Sequence, residues 1–178
     1  MRLFIAINFE EEIKSKINEI IDKIKGYAVQ GRFVKKEHMH LTLEFLGEVP
    51  KERLDDIKSV MDIINSSPFK LSLTGLGYFR RKEGNIYWLG VKDNKALMDL
   101  QSRLHNLLLA KGYELENREY KPHVTIGRRV CLEDTLNENE LMKTISDIII
   151  KVNSIDLMKS KISNGKLMHE LIYSKKIL

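Results

Sequence analysis

Two short segments repeat one pattern of histidine, apolar residue, threonine, apolar residue: His40-Leu41-Thr42-Leu43 and His123-Val124-Thr125-Ile126. Their histidines stand 83 residues apart in a chain of 178. A β-strand sends alternate side chains to opposite faces, so in each segment His and Thr share one face and the apolar pair takes the other. Two such strands facing one cleft would present two imidazoles and two hydroxyls. Histidine titrates near neutrality, so one neutral ring can accept a proton while a protonated one donates. Hydroxyls such as those of Thr42 and Thr125 can donate to phosphate oxygens as negative charge builds on them. The set suits proton transfer around a phosphate. Its symmetry leaves open which histidine is acid and which is base.

The duplication is not complete. Arg128 lies five residues after His123, whereas Phe45 holds that place after His40. Arg128 is either a guanidinium for the phosphate or a solvated residue at a strand end. Strict alternation would turn it away from His123, and it reaches the cleft only if the strand ends or bulges near Gly127. The stretch Tyr78-Phe79-Arg80-Arg81-Lys82 interleaves aromatic and basic residues. It reads equally as a stacking loop for bases and as a solvated turn with an aromatic packed beneath. His38 and His40 could ligate a metal from one strand, but no third ligand accompanies them at an informative spacing. Neither metal nor cofactor is expected. His105 and His169 read as surface residues, and Trp88 as part of a strand core.

Several elements must position these groups. Arg2 to Ile7 reads as a first strand. Ile13, Ile17, Ile20, Ile21 and Ile24 then form one face of a helix. Gly26 would close it in the left-handed conformation. A second helix begins at Pro50 with Leu54, Ile57, Met61 and Ile64 inward, and a third spans Asn94 to Lys111 and stops at Gly112. Strand-like runs cover Arg32 to Lys35, Met39 to Leu46, Phe69 to Leu76, Ile86 to Val91 and His123 to Arg128. The chain closes on a long hairpin, Ile148 to Lys159 and Lys166 to Ile177, turned at Asn164-Gly165. Leu132 to Asp147 is read as a helix. Mixed helices and hairpins without regular βαβ alternation predict an α+β fold with antiparallel sheets, and a cleft between two sheets would let the motif strands face each other.

The chain length supports one domain or two small lobes with a shared core. The single Cys131 excludes an internal disulfide and any multi-cysteine zinc site, which suits a reducing compartment. The opening apolar run is too short for a signal peptide, and no segment approaches the roughly 20 apolar residues of a membrane helix. A cytoplasmic location is expected. The formal charge of +5 favours an anionic partner without identifying nucleic acid.

Around the two motifs, Glu37 to Gly47 and Pro122 to Arg128 resemble the two-histidine phosphoesterase superfamily, and within it the LigT-like RNA 2',3'-cyclic phosphodiesterases, long called 2'-5' RNA ligases. The likeness extends to the Arg2-Leu3-Phe4-Ile5-Ala6-Ile7 strand, Gly77-Tyr78-Phe79 and Trp88-Leu89-Gly90-Val91. It implies two pseudosymmetric lobes of antiparallel sheet with helices outside and a central cleft, residues 1–178 forming one bilobal unit. It also implies His40 as proton donor and His123 as acceptor. The expected substrate is RNA ending in a 2',3'-cyclic phosphate, single-stranded or tRNA-derived, opened to a 2'-phosphomonoester by a monomer. The same site would join ends through a 2'-5' linkage when a 5'-hydroxyl RNA replaces water. Two other readings stand beside it: a cyclic phosphodiesterase for a small nucleotide such as ADP-ribose 1'',2''-cyclic phosphate, and a non-catalytic RNA-binding module. Many relatives carry proline where this chain has Arg80-Arg81, which puts the shape of that loop in question.

Overall fold

The computed structural model describes residues 1–178. Its elements run β1 (Arg2–Asn8), α1 (Glu11–Lys25), β2 (Ala28–Phe33), β3 (His40–Glu48), α2 (Leu54–Asp62), β4 (Phe69–Phe79), β5 (Asn85–Val91), α3 (Lys95–Ala110), β6 (His123–Leu132), α4 (Glu138–Lys143), β7 (Ile148–Val152), β8 (Ser154–Ser163) and β9 (Lys166–Lys176). Short 3-10 turns at Lys36–His38 and Lys51–Arg53 precede β3 and α2. The strands form two antiparallel sheets, one in the order β3-β1-β8-β9 and the other β2-β6-β5-β4-β7. This is the expected α+β arrangement with antiparallel sheets.

The five isoleucines of α1 are all buried, as their helical spacing requires. The helix leaves the first sheet and packs against β2 and β7 of the second, while α2 and α3 pack against β9 and β3 of the first. The lobes are therefore interleaved along the chain and are not two sequential halves. One apolar cluster runs through both, from Ile5, Ile7 and Leu41 to Leu89, Val124 and Ile126. Burying a side chain of this size contributes roughly 1.5–3 kcal/mol, so the shared cluster holds the two sheets together.

Some local expectations are corrected. Gly26 is right-handed (φ −60°), and the chain turns instead through the Tyr27 N–H donating to the Ile24 carbonyl at 3.0 Å. The strand expected over Arg32 to Lys35 lies earlier, at Ala28–Phe33, because it pairs with β6 back to Leu132. The expected first arm of the terminal hairpin breaks before Ser154. β7 joins β4 in one sheet, and β8 joins β1 and β9 in the other. Of the helix expected over Leu132 to Asp147 only Glu138–Lys143 forms, capped by the Asn137 side chain. Tyr78 and Phe79 belong to β4, which leaves Arg80, Arg81 and Lys82 alone in the turn.

Candidate active site

Each motif strand has one face on the shared core. Leu41 and Leu43 of β3 are buried there, as are Val124 and Ile126 of β6, while His40, Thr42, His123 and Thr125 lie on the opposite faces and are half-buried. Both strands then break register at the same place. Opposite β1, Thr42 pairs with Ala6 and Glu44 with Ile5, so Leu43 is an extra residue. Opposite β5, Thr125 pairs with Trp88 and Gly127 with Tyr87, so Ile126 is extra. A bulge leaves two successive residues on the core side and returns the next to the opposite face. The burial sequences agree residue for residue from His40 to Phe45 and from His123 to Arg128. Phe45 and Arg128 therefore share the face of the histidines.

Gly127 is what the second bulge requires. An added Cβ would stand 2.7 Å from Val130 and 3.2 Å from the Phe33 ring. The residue of β3 equivalent to Gly127, Glu44, instead turns a carboxylate inward, where His105 of α3 lies 2.7 Å away and Gln101 donates at 3.3 Å. His105 is thus the half-buried partner of a buried carboxylate and not the surface residue expected.

The two imidazoles are oriented alike. His40 Nδ1 lies 2.8 Å from the His38 carbonyl, and His123 Nδ1 lies 2.6 Å from the Lys121 carbonyl. A carbonyl only accepts, so each Nδ1 carries a proton, and in the neutral ring Nε2 is the basic nitrogen. Ring neighbours hold each imidazole in place. Around His40 are Phe4 at 4.9 Å and His169 at 5.3 Å between ring centroids. Around His123 are Phe79 at 5.1 Å, edge to face, and Trp88 at 6.0 Å. Burial holds both histidines below their ordinary range, partly opposed by the carbonyl hydrogen bonds. Neighbouring positive charges push both down further, His38 on His40 and Arg118 on His123, with the Arg128 charge reaching both.

The motif strands also touch directly. β3 and β6 pack together, and Tyr120, three residues before His123, donates its hydroxyl to the Thr42 carbonyl at 2.8 Å. Burial, then the Glu44 carboxylate, push the Tyr120 phenol well above its usual range, which keeps it a donor.

Six of the seven residues singled out in the sequence lie on the cleft faces: His40, His123, Thr42, Thr125, Arg128 and Phe79. Tyr78 does not. As Phe79's neighbour in a strand it points to the other face, with its ring 5.3 Å from that of buried Tyr87. Two groups were missed. His169 of β9 packs between His38 and His40, and burial, then the positive charges of those two rings, lower it to about 4. Trp88 lies flat over Gly77, where an added Cβ would stand 2.2 Å from the indole, and its enclosed Nε1 has no protein partner. Alternation within β5 puts Trp88 on the Thr125 face, a signal legible only once the pairing is known.

A bulged His-x-Thr strand from each of two sheets, with the imidazoles set alike and an arginine on the histidine face of one of them, defines a two-lobed phosphoesterase architecture. The chain belongs to the 2'-5' RNA ligase superfamily, whose sequence model matches residues 13–162. It is 40% identical over 131 residues, 72% of this chain and 70% of the relative, to an RNA 2',3'-cyclic phosphodiesterase of Thermotoga maritima. A protein of the same name from Methanocaldococcus jannaschii is 30% identical over 176 residues, covering 97% of this chain and 98% of its own. The crystal structure of E. coli LigT complexed with 3'-AMP superposes with a TM-score of 0.81 at 26% identity, over 99% of this chain and 97% of that one.

Proposed function

We propose that this protein is an RNA 2',3'-cyclic phosphodiesterase whose acid and base are His40 and His123. The observation that carries the reading is the matched pair of Nδ1-to-carbonyl hydrogen bonds, which leaves an Nε2 on each ring for the substrate. His123 Nε2 takes a proton from water as its oxygen attacks phosphorus. The bond from phosphorus to the ribose 3'-oxygen breaks, and protonated His40 delivers its Nε2 proton to that oxygen. The products are a 2'-phosphomonoester and a 3'-hydroxyl. Thr42, Thr125 and Arg128 hold the non-bridging oxygens, whose charge rises in the transition state. Phe79 packs edge-on against His123 and keeps that ring at its angle.

The same groups join two ends when an RNA 5'-hydroxyl replaces water as the nucleophile: His123 takes its proton, the bond from phosphorus to the 3'-oxygen breaks, His40 protonates that oxygen, and a 2'-5' linkage forms without a nucleotide cofactor. The substrate is a single-stranded or tRNA-derived end, residues 1–178 act as one bilobal unit, and the working form is a monomer.

The test is mass spectrometry of a short RNA bearing a 2',3'-cyclic phosphate, incubated in EDTA with wild type, His40→Ala or His123→Ala. The expected product gains the mass of one water and ends in a 2'-phosphate, and each variant slows its formation by about 10²–10⁴-fold. No conversion by wild type, or full-rate conversion by either variant, sinks the paired-histidine reading.

A further inference from the structure

β2 and β6 bring two arginines directly across from each other: Arg32 pairs with Arg128, and the next rung is Phe33 with Gly127. Opposed residues share a face, and the Phe33 ring is on the core side, against the position of a Gly127 Cβ and beneath the Lys25 ammonium at 5.7 Å. Arg32 therefore projects to the cleft face with Arg128. Like charges directly opposite on a sheet are destabilising, and neither guanidinium has a carboxylate within 4.0 Å or a hydrogen bond to the protein to offset this. Glu83, the acidic residue on this side, is taken by Arg129 at 3.0 Å. Two uncompensated, forward-facing arginines are a site for anions.

Their places differ. Arg128 shares the face of His123 on β6, whereas Arg32 stands one strand further out, on the edge strand of the sheet. There it borders an open cavity of about 370 Å³ lined by Gln30, Gly31, Arg32, Glu83 and Arg129, with no apolar residue among them. Such a lining fits a sugar and its phosphate better than the flat apolar face of a base. The Gln30 amide, which donates to the Glu83 and Arg129 carbonyls at 3.2 and 3.4 Å, fixes the floor of that cavity.

We infer that Arg32 and this cavity hold the phosphodiester on the 5' side of the terminal nucleotide, so that the substrate is an oligonucleotide of at least two residues and not a cyclic mononucleotide. The inference rests on the phosphodiesterase reading above and deepens it.

The experiment compares kcat/KM for adenosine 2',3'-cyclic phosphate and for the dinucleotide ApA ending in a 2',3'-cyclic phosphate, using wild type, Arg32→Gln and Arg32→Lys. A charge-assisted contact predicts that wild type prefers the dinucleotide by about tenfold or more, that Arg32→Gln collapses the ratio chiefly through KM, and that Arg32→Lys falls between. The salt dependence of log KM for the dinucleotide should lose a slope of about 0.7 in Arg32→Gln, the value for one single-strand phosphate contact. Equal kcat/KM for both substrates in wild type overturns the subsite, as does an equal loss on both in Arg32→Gln. If wild type turns over neither, the hydrolase reading fails separately, and calorimetric Kd values for adenosine 2'-phosphate and ApA 2'-phosphate then decide. A tighter dinucleotide whose advantage Arg32→Gln removes supports the subsite, and equal Kd values overturn it.

Discussion

The Tyr120 hydroxyl donates to the Thr42 carbonyl at 2.8 Å, so the approach to one motif is fastened to the strand of the other. Tyr120 lies three positions before His123, and Thr42 two positions after His40. A single hydrogen bond thus spans the two lobes at the level of the imidazoles. Replacing Tyr120 by Phe keeps the packed ring and leaves the Thr42 carbonyl without its donor. The expected cost is about 1–2 kcal/mol of stability, read from chemical denaturation. If the bond sets the spacing of the histidines, kcat falls about tenfold with little change in KM, because misplacement by a fraction of an ångström weakens transition-state contacts more than binding. Unchanged kcat would make the bond structural only.

Thr42 and Thr125 present hydroxyls beside the two imidazoles, while the methyl-bearing shape of threonine suits a strand. Valine preserves that shape and removes the donor. Thr42→Val and Thr125→Val should each lower kcat by about 10²-fold, as when one donor to a developing oxyanion is lost. Thermal unfolding should move by no more than a degree or two, since neither hydroxyl makes an intramolecular bond.

The pH profile follows from the two histidines. In the free protein burial sets both below their ordinary value, with Arg128 adding to the effect. The base must be neutral and the acid protonated, so the acid limb of kcat/KM follows His123 and the alkaline limb follows His40. Both limbs then lie below about pH 6.5, and the optimum with them. A bound phosphate anion favours the charged imidazole, so the kcat profile sits at higher pH than that of kcat/KM. Arg128→Gln removes a positive charge that lowers both rings and should move the kcat/KM profile toward neutrality while raising KM. An optimum above pH 7 for wild-type kcat/KM contradicts this account.

His169 makes the fold sensitive to acid. Its native value is about 4, against about 6.5 in an unfolded chain. Between these values the unfolded state binds a proton that the native state refuses, so stability is lost as pH falls from 6.5 to 4 and is unaffected above 6.5. The loss amounts to about 2–3 kcal/mol, the lower figure allowing for partial solvent access. In His169→Leu, denaturant midpoints at pH 7 and pH 4.5 should differ less than in wild type by about that free energy. Equal pH dependence in the two proteins would place His169 in water.

Much of the local structure was legible because it depends on neighbours in sequence. The helical spacing of Ile13, Ile17, Ile20, Ile21 and Ile24 needs only one helix and one apolar surface, and all five are buried. The alternation in His40-Leu41-Thr42-Leu43 and His123-Val124-Thr125-Ile126 likewise puts His with Thr before any partner strand is known. Arg128 shows where that reasoning stops. Its face depends on a bulge at Ile126, and the bulge exists because β6 must keep register with β5 while Gly127 meets Phe33 and Val130.

The chain by itself determined the chemistry it carries: two imidazoles, two hydroxyls, and the strands and helices that bear them. The tertiary structure alone decided their relation. It split Ile148–Val152 from Ser154–Ser163 into different sheets, brought His169 against His40, turned Tyr78 away from the cleft, and set Arg32 opposite Arg128. Periodicity encodes which face of an element is buried. It does not encode which distant strand will cover that face, since pairing is chosen by the joint packing of segments up to a hundred or more residues apart.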